Sequence, residues 1–290
     1  MLKLEWLEAF VAFAEHESFT AAARVLHLSQ PALHVQVKKL SEALGVTLYR
    51  RKGQRLVLTA DGKRVAAFGR EVRDRTRELA GELRAGGRAE PVALCAGEGA
   101  YLYLLGEGIR RFLADGGAPL KLLTRDREGT LEAVRGGEAQ VGVASLDAVP
   151  DDLEARPLTD VGQVLVVPEG HPLAQARRVR LADLAGARLV VPGADRPHRV
   201  VLARALLEAG VPWEVAVEAN GWELMLRFVE LGVGLAVVNA CCRIPRGLTA
   251  RPLAELPRQR YHVLRRSGAQ AEGAAARLAS TLLAAGAAWE

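Results

Sequence analysis

The chain has 290 residues and a formal net charge of +5, with half of its residues hydrophobic and a quarter charged. This length suits two or three domains, and no apolar run approaches the roughly 18 residues of a membrane span, so a soluble, cytoplasmic protein with no membrane partner is expected. The three cysteines match neither a disulfide framework nor paired metal-ligand spacing. Reduced thiols and no metal site are therefore predicted.

The positive charge is concentrated in the first third of the chain. Residues 1–90 carry 16 Lys plus Arg against 11 Asp plus Glu, whereas residues 91–290 carry 23 of each. Four cations lie in the six-residue run RRKGQR at 50–55. Such a density suits a polyanionic partner, although a solvated surface run is the simpler alternative.

Three helices are predicted at the N-terminus. Residues 4–14 have helical spacing, and a second helix is expected near Thr20, whose hydroxyl can cap the alanine-rich run that follows. The third helix starts with Ser29 as N-cap and Pro31 in the first turn. Its apolar stripe consists of Leu33, Val37, Leu40 and Leu44.

The opposite face of the third helix is polar and basic, with His34, Val35 and Lys38 directed away from the stripe. Taken alone, this surface is equally typical of a solvated helix. After it, VTLYR and LVLT are two short strand-like runs around the basic segment. Two tightly joined helices followed by such a hairpin predict a winged helix-turn-helix over residues 1–59.

Residues 59–86 form a long, charge-rich segment with a thin apolar stripe. The stripe is too narrow for a domain core, so residues 60–89 are predicted to be a linker helix that pairs with a second chain.

Beyond residue 90 the pattern changes to alternating strands and helices. Helical spacing is found at residues 101–113, 131–134 and 200–209. The strand candidates are PVALCA, LKLLT, QVGVAS, QVLVVP, RLVVP, WEVAVEA and GLAVVN. This pattern predicts an α/β domain with mainly parallel sheets over residues 90–290. Two lobes are expected, one formed by about residues 90–161 and 266–290 and the other by about 162–265.

Residues 9–62 resemble the DNA-binding region of LysR-type transcriptional regulators, through the landmarks SFTAAA, LSQPAL, LG, LYRR and LTADG. The segments VELGVGLAVVN and VLVVPEGHPLA are similar, more loosely, to the effector-binding domain of that family. The resemblance implies a winged helix-turn-helix, a dimerising linker helix and a two-lobed effector domain like a periplasmic binding protein.

The resemblance also implies residue roles in binding double-stranded DNA. Gln30, Pro31 and His34 stand where the family faces base edges, and Arg51 and Arg55 stand in the wing, which reaches the backbone and minor groove. Further phosphate contacts are expected from Ser18, Thr20 and Lys38.

Three positions depart from the family pattern. The family commonly has serine where His34 stands and a polar or basic residue where Val35 stands, which leaves the base preference open. Ser41 replaces the usual glutamate, with a local effect on helix packing expected.

The residues GEG at 97–99 follow a predicted strand and open a predicted helix. They do not complete a dinucleotide-binding motif, because Leu102 occupies the third glycine position and no acidic ribose partner stands at the expected spacing. Backbone N–H groups at such a helix start suit a polar ligand. Glu98 either contacts the ligand or only complements the helix dipole.

Other strand-end residues are expected to line the cleft of a two-lobed receptor. Arg196 and His198 are predicted to fix an anionic group and Trp222 to stack on a flat one, with a surface ion pair, a helix cap and interlobe packing as the respective alternatives. The candidate effector-binding set is Gly97, Glu98, Gly99, Thr124, Arg125, Arg196, His198, Asn220 and Trp222, with Asp126, Arg199 and Asn239 nearby.

No catalytic motif such as GxSxG, HExxH, GxxxxGK[ST] or CxxC is present, so no enzyme activity and no cofactor are expected. The leading hypothesis is a regulator that binds an interrupted palindrome as a dimer or tetramer under control of a small-molecule effector, with RNA polymerase as a further candidate partner. Two alternatives stay open. One is a solute receptor or small-molecule enzyme that uses its N-terminal domain for dimerisation, and the other is redox sensing through Cys95, Cys241 and Cys242.

Overall fold

The computed structural model describes residues 2–53, 55–84, 90–269 and 271–286. Its N-terminal elements are α1 (Leu4–His16), α2 (Phe19–Val25), α3 (Gln30–Leu44), β1 (Tyr49–Lys52) and β2 (Arg55–Leu58). The two strands pair as an antiparallel hairpin. Three helices followed by a two-stranded wing confirm the predicted winged helix-turn-helix.

Side-chain caps decide where α2 and α3 begin. The Ser29 hydroxyl accepts a hydrogen bond from the Ala32 backbone N–H at 3.3 Å, as predicted. The cap of α2 is Ser18, which accepts from the Ala21 N–H at 3.3 Å. The prediction of Thr20 as the cap was wrong, because α2 starts one residue earlier and Thr20 lies within its first turn.

Aromatic and leucine side chains form the core of this N-terminal domain. Phe13 stacks on Phe19 with ring centroids 4.3 Å apart, and Phe10 lies fully buried beside them. Leu33, Val37 and Leu40 of α3 are also fully buried. The apolar stripe of α3 therefore faces the core and leaves its opposite face to solvent.

The linker helix α4 (Ala60–Arg84) is 25 residues long and packs on α1 with its N-terminal half. The Thr59 hydroxyl accepts from the Gly62 N–H at 2.9 Å and starts the helix. Farther along, Arg73 donates to both carboxylate oxygens of Glu15 at 3.1 and 2.5 Å. Helix α4 is thus attached to the N-terminal domain by close packing and by a bidentate ion pair.

The first lobe contains a five-stranded sheet. Its strand order is β4 (Leu120–Thr124), β3 (Val92–Ala96), β5 (Val141–Ser145), β12 (Gln259–Arg266) and β6 (Leu153–Val161). Around it pack α7 (Arg127–Arg135), α10 (Ala274–Gly286) and a continuous helical run of α5 (Glu98–Ala100), a π-helical turn (Tyr101–Leu105) and α6 (Gly106–Ala114). Apolar side chains of strands β3 and β5 are buried between these helices.

The second lobe contains two smaller sheets. One has the order β10 (Ala236–Asn239), β7 (Gln163–Pro168) and β11 (Leu248–Pro252), and the other pairs β8 (Ala187–Val191) with β9 (Trp213–Glu218). Its helices are α8 (Pro197–Glu208) and α9 (Trp222–Glu230), with short 3-10 turns at Pro172–Gln175 and Leu181–Leu184.

Two details correct the sequence prediction. The sheets are mixed rather than mainly parallel, because β12 runs antiparallel to β5 and β6, and β7 runs antiparallel to both of its neighbours. Strand β12 lies in the first lobe, so the chain returns from the second lobe between Pro252 and Gln259, earlier than the predicted boundary at residue 265. Strand β6 was missed because its sequence LEARPLTDV mixes charged residues with a proline, which weakens the strand pattern.

Helix α4 is long enough to span a bilayer, but it is rich in charged residues. Among the described residues, no helix is both long enough and apolar enough to cross a membrane.

Candidate DNA-binding surface and effector cleft

The exposed residues Gln30, Pro31, His34 and Lys38 form one side of α3, here called the α3 face. Gln30 is oriented by Thr20, whose hydroxyl lies 3.2 Å from its side-chain oxygen. This contact joins the start of α2 to the start of α3. The face is therefore polar, solvent-accessible and backed by a rigid core, as direct contact with base edges requires.

His34 is exposed and is also held in place by two aromatic neighbours. Its ring centroid lies 5.0 Å from that of Phe19, and its Nε2 atom lies 3.4 Å from the Tyr49 hydroxyl of the wing strand β1. Partial burial raises the pKa of Tyr49, so this hydroxyl stays protonated and can donate to the imidazole. A serine at this position is too short to make the same bridge, so the histidine links the α3 face to the wing.

Lys38 pairs with Glu42 one turn along α3 at 3.7 Å, and both side chains are about two-thirds exposed, at 67% and 63%. An exposed pair of this kind contributes little stability. The ammonium group of Lys38 is therefore available to a phosphate at small cost.

The wing carries three described cations on its first strand, Arg50, Arg51 and Lys52, all exposed. Arg51 donates from Nε to the Gly53 carbonyl at 3.1 Å. Gly53 has a φ of 64°, the left-handed conformation that favours glycine in a tight turn. The backbone of Arg55 begins β2, but its side chain lies outside the described residues.

In the effector domain, Gly97 caps the helical run that starts at Glu98, and Gly99 lies directly against Trp222 of the other lobe. A Cβ atom at Gly99 would lie 2.9 Å from both Cδ1 and Nε1 of the indole ring. Only glycine therefore lets the two lobes approach this closely. Trp222 stands at the interface between the lobes, as its predicted place in the cleft requires.

The carboxylate of Glu98 projects toward the start of α9 in the second lobe. Its Oε2 atom lies 3.9 Å from the position that a Cβ on Gly221, the N-cap of α9, would occupy. The N-terminus of a helix is electropositive. Glu98 thus places a negative charge at a helix start where an anionic ligand could otherwise bind.

His198 is buried at 8% exposure, and its Nε2 atom lies 2.8 Å from the Val237 carbonyl oxygen. A carbonyl can only accept, so Nε2 carries the proton. Burial lowers the pKa of His198 to about 4, which keeps the imidazole neutral near pH 7. Its ring meets Trp222 edge-on with centroids 4.6 Å apart. His198 therefore supplies a hydrogen-bonding group beside Trp222 and no positive charge.

The predicted arginines of the cleft are engaged with acidic or aromatic neighbours. Arg196 pairs with Asp126 of the first lobe at 3.4 Å, and Arg125 pairs with Glu138 at 2.7 Å. The guanidinium of Arg199 lies over the Trp213 ring at 4.1 Å. The Arg196 contact joins the two lobes, whereas the Arg199 contact belongs to the second lobe alone.

The remaining predicted residues lie at strand ends. Thr124 is exposed at the end of β4, beside Ala96 of β3. The side-chain oxygen of Asn220 accepts from the Gly193 N–H at 3.3 Å. The structure thus brings Glu98, Gly99, His198 and Trp222 together and leaves Thr124 and Arg125 at the edge of the first lobe.

Several interlobe residues were not predicted as site residues. Tyr103 of the first lobe packs against the second-lobe core, and burial, together with its hydrogen bond to Glu223, raises its pKa to about 12. Asn239, predicted only as a neighbour, donates from Nδ2 to the hydroxyl of Tyr261 at 3.2 Å. Gln163 could have been recognised from the sequence as a candidate site residue, because it is a polar residue at the start of the otherwise apolar strand β7.

All three cysteines are free thiols. Cys95 is fully buried in β3, and burial raises its pKa. Cys241 packs against the first-lobe core while its neighbour Cys242 is buried in the second-lobe core. The hydrogen bond between the adjacent thiols lowers the pKa of Cys241 and raises that of Cys242. Cys241 and Cys242 are therefore part of the packing between the lobes, whereas Cys95 belongs to the core of the first lobe.

Comparison with known proteins identifies both domains. Residues 4–63 match the model of the bacterial regulatory helix-turn-helix protein, lysR family, and residues 85–287 match the LysR substrate binding domain. The chain is 33% identical over 229 residues to the SDS degradation transcriptional activation protein of a Pseudomonas species, covering 73% of this chain and 71% of that protein. It is 27% identical over 240 residues to the RuBisCO operon transcriptional regulator of Allochromatium vinosum, covering 82% and 80% of the two chains.

Solved structures show the same fold along nearly the whole chain. A variant of full-length OxyR from Pseudomonas aeruginosa is similar with a TM-score of 0.62 and 24% identity, over 99% of this chain and 95% of that one. Full-length CbnR in complex with its target DNA is similar with a TM-score of 0.59 and 21% identity, over 98% and 100%. The family matches and the sequence relatives, rather than the structural likeness, favour a transcriptional regulator over a solute receptor or an enzyme. The chain belongs to the LysR family of transcriptional regulators, with a helix-turn-helix domain and an effector-binding domain.

Proposed function

We propose that this regulator binds an interrupted palindrome in double-stranded DNA as a symmetric dimer or a dimer of dimers. The single observation that carries the proposal is the α3 face, which is exposed and polar above a fully buried stripe of Leu33, Val37 and Leu40. Two-fold symmetry would present two such faces to two half-sites one helical turn or its multiples apart.

The proposed division of labour follows the elements. Residues 1–59 would read DNA, residues 60–89 would hold two chains together, and residues 90–290 would bind the effector. In the DNA complex, Gln30, Pro31 and His34 would meet base edges. Phosphate and minor-groove contacts would come from Ser18, Thr20, Lys38, Arg51 and Arg55. The protein would act in the cytoplasm, carry out no catalytic step and contact RNA polymerase when it activates transcription.

Control by a small molecule would operate through the contacts that join the two lobes. Trp222 against Gly99 and Arg196 paired with Asp126 hold the lobes close together. A ligand that prefers this closed arrangement over an open one would shift the balance between them and so change the geometry of the dimer. The candidate ligand contacts are Gly97, Glu98, Gly99, Thr124, Arg125, Arg196, His198, Asn220 and Trp222.

The test is fluorescence anisotropy of the full chain with the DNA upstream of its own gene and with a random duplex of equal length, across a salt series. Arg51→Ala should weaken binding to both duplexes and flatten the salt dependence by about one unit of slope. His34→Ala should instead reduce the preference for the upstream DNA by about 1 kcal/mol or more.

Arg178→Ala is the matched control, because this exposed arginine lies in the second lobe, far along the chain from the wing. It should leave both affinities unchanged. Equal effects of the His34 and Arg51 variants on specific and random DNA would contradict the division between base reading and backbone binding. The absence of DNA binding by the unaltered protein at every salt concentration would contradict the proposed function itself.

A further inference from the structure

Three buried side chains of the second lobe leave a hydrogen-bond acceptor unused. Gln163, His198 and Asn239 are 3%, 8% and 3% exposed, and their atoms Oε1, Nδ1 and Oδ1 have no hydrogen-bond partner within the described part of the chain. Buried polar atoms are nearly always satisfied, because leaving one unpaired costs its full desolvation. Three such atoms in one region therefore call for hydrogen-bond donors that the described protein groups do not supply.

The acceptor character of two of them is determined by their neighbours. Gln163 donates from Nε2 to the Pro257 carbonyl at 3.0 Å, so its other atom is the oxygen. His198 donates from Nε2 to the Val237 carbonyl, and its low pKa leaves Nδ1 unprotonated. Each unused atom can therefore only accept a hydrogen bond, which means that the missing partner must donate.

The three acceptors belong to one end of one sheet. Gln163 and Asn239 are opposite partners in the antiparallel pairing of β7 and β10, so their side chains lie on the same face. The carbonyl of Val237 accepts the hydrogen bond from His198, and Val237 precedes Asn239 by two residues in β10. Two residues of a strand span about 7 Å. Asn239 in turn reaches Tyr261 of the first lobe. A single small molecule between the lobes could therefore span all three.

The surrounding charges disfavour an anion. The Glu98 carboxylate lies over the start of α9, and Glu223 follows in the first turn of that helix. The nearby cations Arg196 and Arg125 are paired with Asp126 and Glu138, respectively. The guanidinium of Arg199, next to His198 in α8, lies over the Trp213 ring. An incoming carboxylate would be repelled by the carboxylates of Glu98 and Glu223 and could donate no hydrogen bond to the three acceptors. A cation would be attracted by the two carboxylates and could donate hydrogen bonds to the acceptors.

We propose that the effector is a small organic cation with two or more N–H donors, an ammonium or guanidinium compound, bound between Glu98 and the acceptors of Gln163, His198 and Asn239. Trp222, half-buried at the same interlobe contact, is an aromatic ring of the kind that attracts organic cations. This inference rests on the proposed function, because it names the chemical class of the effector of the same cleft. It replaces the predicted anion-binding role of Arg196 and His198.

The test is isothermal titration calorimetry of the full chain with four probe cations, methylguanidine, putrescine, agmatine and benzylamine, and with the anions acetate, succinate and benzoate. At least one cation should bind saturably at millimolar or lower concentration, and no anion should bind. Glu98→Gln keeps the size of this exposed side chain while removing its charge, and it should weaken cation binding about tenfold or more. Glu208→Gln, at the far end of α8, is the control and should bind like the unaltered protein.

Saturable binding of any of the anions, or of no probe at all, would overturn the assignment of the effector class. So would equal affinity of the Glu98→Gln variant and the unaltered protein for a cation. Anisotropy with the upstream and random duplexes on the same samples separates this failure from failure of the proposed function. If the preference for the upstream DNA persists while the cations fail to bind, only the effector class is wrong.

Discussion

Burial of the neutral His198 imidazole should make the second lobe sensitive to acid. The group has an ordinary pKa of 6.5, which it recovers on unfolding, and a pKa of about 4 in the folded protein. Between these values the unfolded chain binds a proton that the folded chain does not, so the free energy of unfolding falls as the pH falls. The stabilisation is fully present above pH 6.5 and is lost as the pH approaches 4.

The size of the effect follows from the difference between the two pKa values. At 1.36 kcal/mol for each unit, the whole contribution is about 3 kcal/mol, and about 2 kcal/mol of it is lost between neutral pH and about pH 5. Most carboxylates remain ionised at that pH. The loss should therefore be attributable largely to histidine.

The assay is urea unfolding at neutral pH and at about pH 5, followed by tryptophan fluorescence, to which Trp222, lying against the imidazole, contributes. His198→Gln retains a donor for the Val237 carbonyl and cannot titrate. It should lose about 2 kcal/mol less than the unaltered protein over this range. His16→Gln, at an exposed site of α1, should behave like the unaltered protein. Equal losses in the His198 variant and the unaltered protein, or an imidazole that titrates near 6.5 by NMR, would refute the reasoning.

Two further predictions concern the attachment of the linker helix. Gly62→Ala would place a Cβ 1.8 Å from the Leu48 carbonyl oxygen and should destabilise the N-terminal domain by about 3 kcal/mol or more. Gly106→Ala is the control, because a Cβ there would have no neighbour within 4 Å, and it should stabilise its helix by about 0.5 to 1 kcal/mol. The two variants should shift the thermal unfolding temperature in opposite directions, and shifts of the same sign would contradict the prediction. Arg73→Ala leaves Glu15, only 21% exposed, without its ion-pair partner and should lower the free energy of unfolding in urea by about 2 kcal/mol. A double variant with Glu15→Ala that shows no coupling between the two substitutions would count against the ion pair.

Local patterns in the sequence were enough for much of the fold and for the DNA-binding surface. The α3 stripe, the Ser29 cap and the basic hairpin depend on residues close together in the chain, and periodicity and capping chemistry report on such neighbours directly. All seven predicted strands of the effector domain were found for the same reason, because continuous or alternating apolar runs are visible within a few neighbouring residues. The strand-end positions that follow them also indicated a cleft.

Only the tertiary structure decided which of those strand ends meet and what they offer a ligand. The return of β12 to the first lobe places Tyr261 beside Asn239, and strand register places Gln163 opposite Asn239. The close approach of Trp222 to Gly99 and the neutral state of His198 likewise depend on burial between segments far apart in sequence. Sequence periodicity carries no information about these long-range contacts, because pairing partners and desolvation are set by the packing of the whole chain.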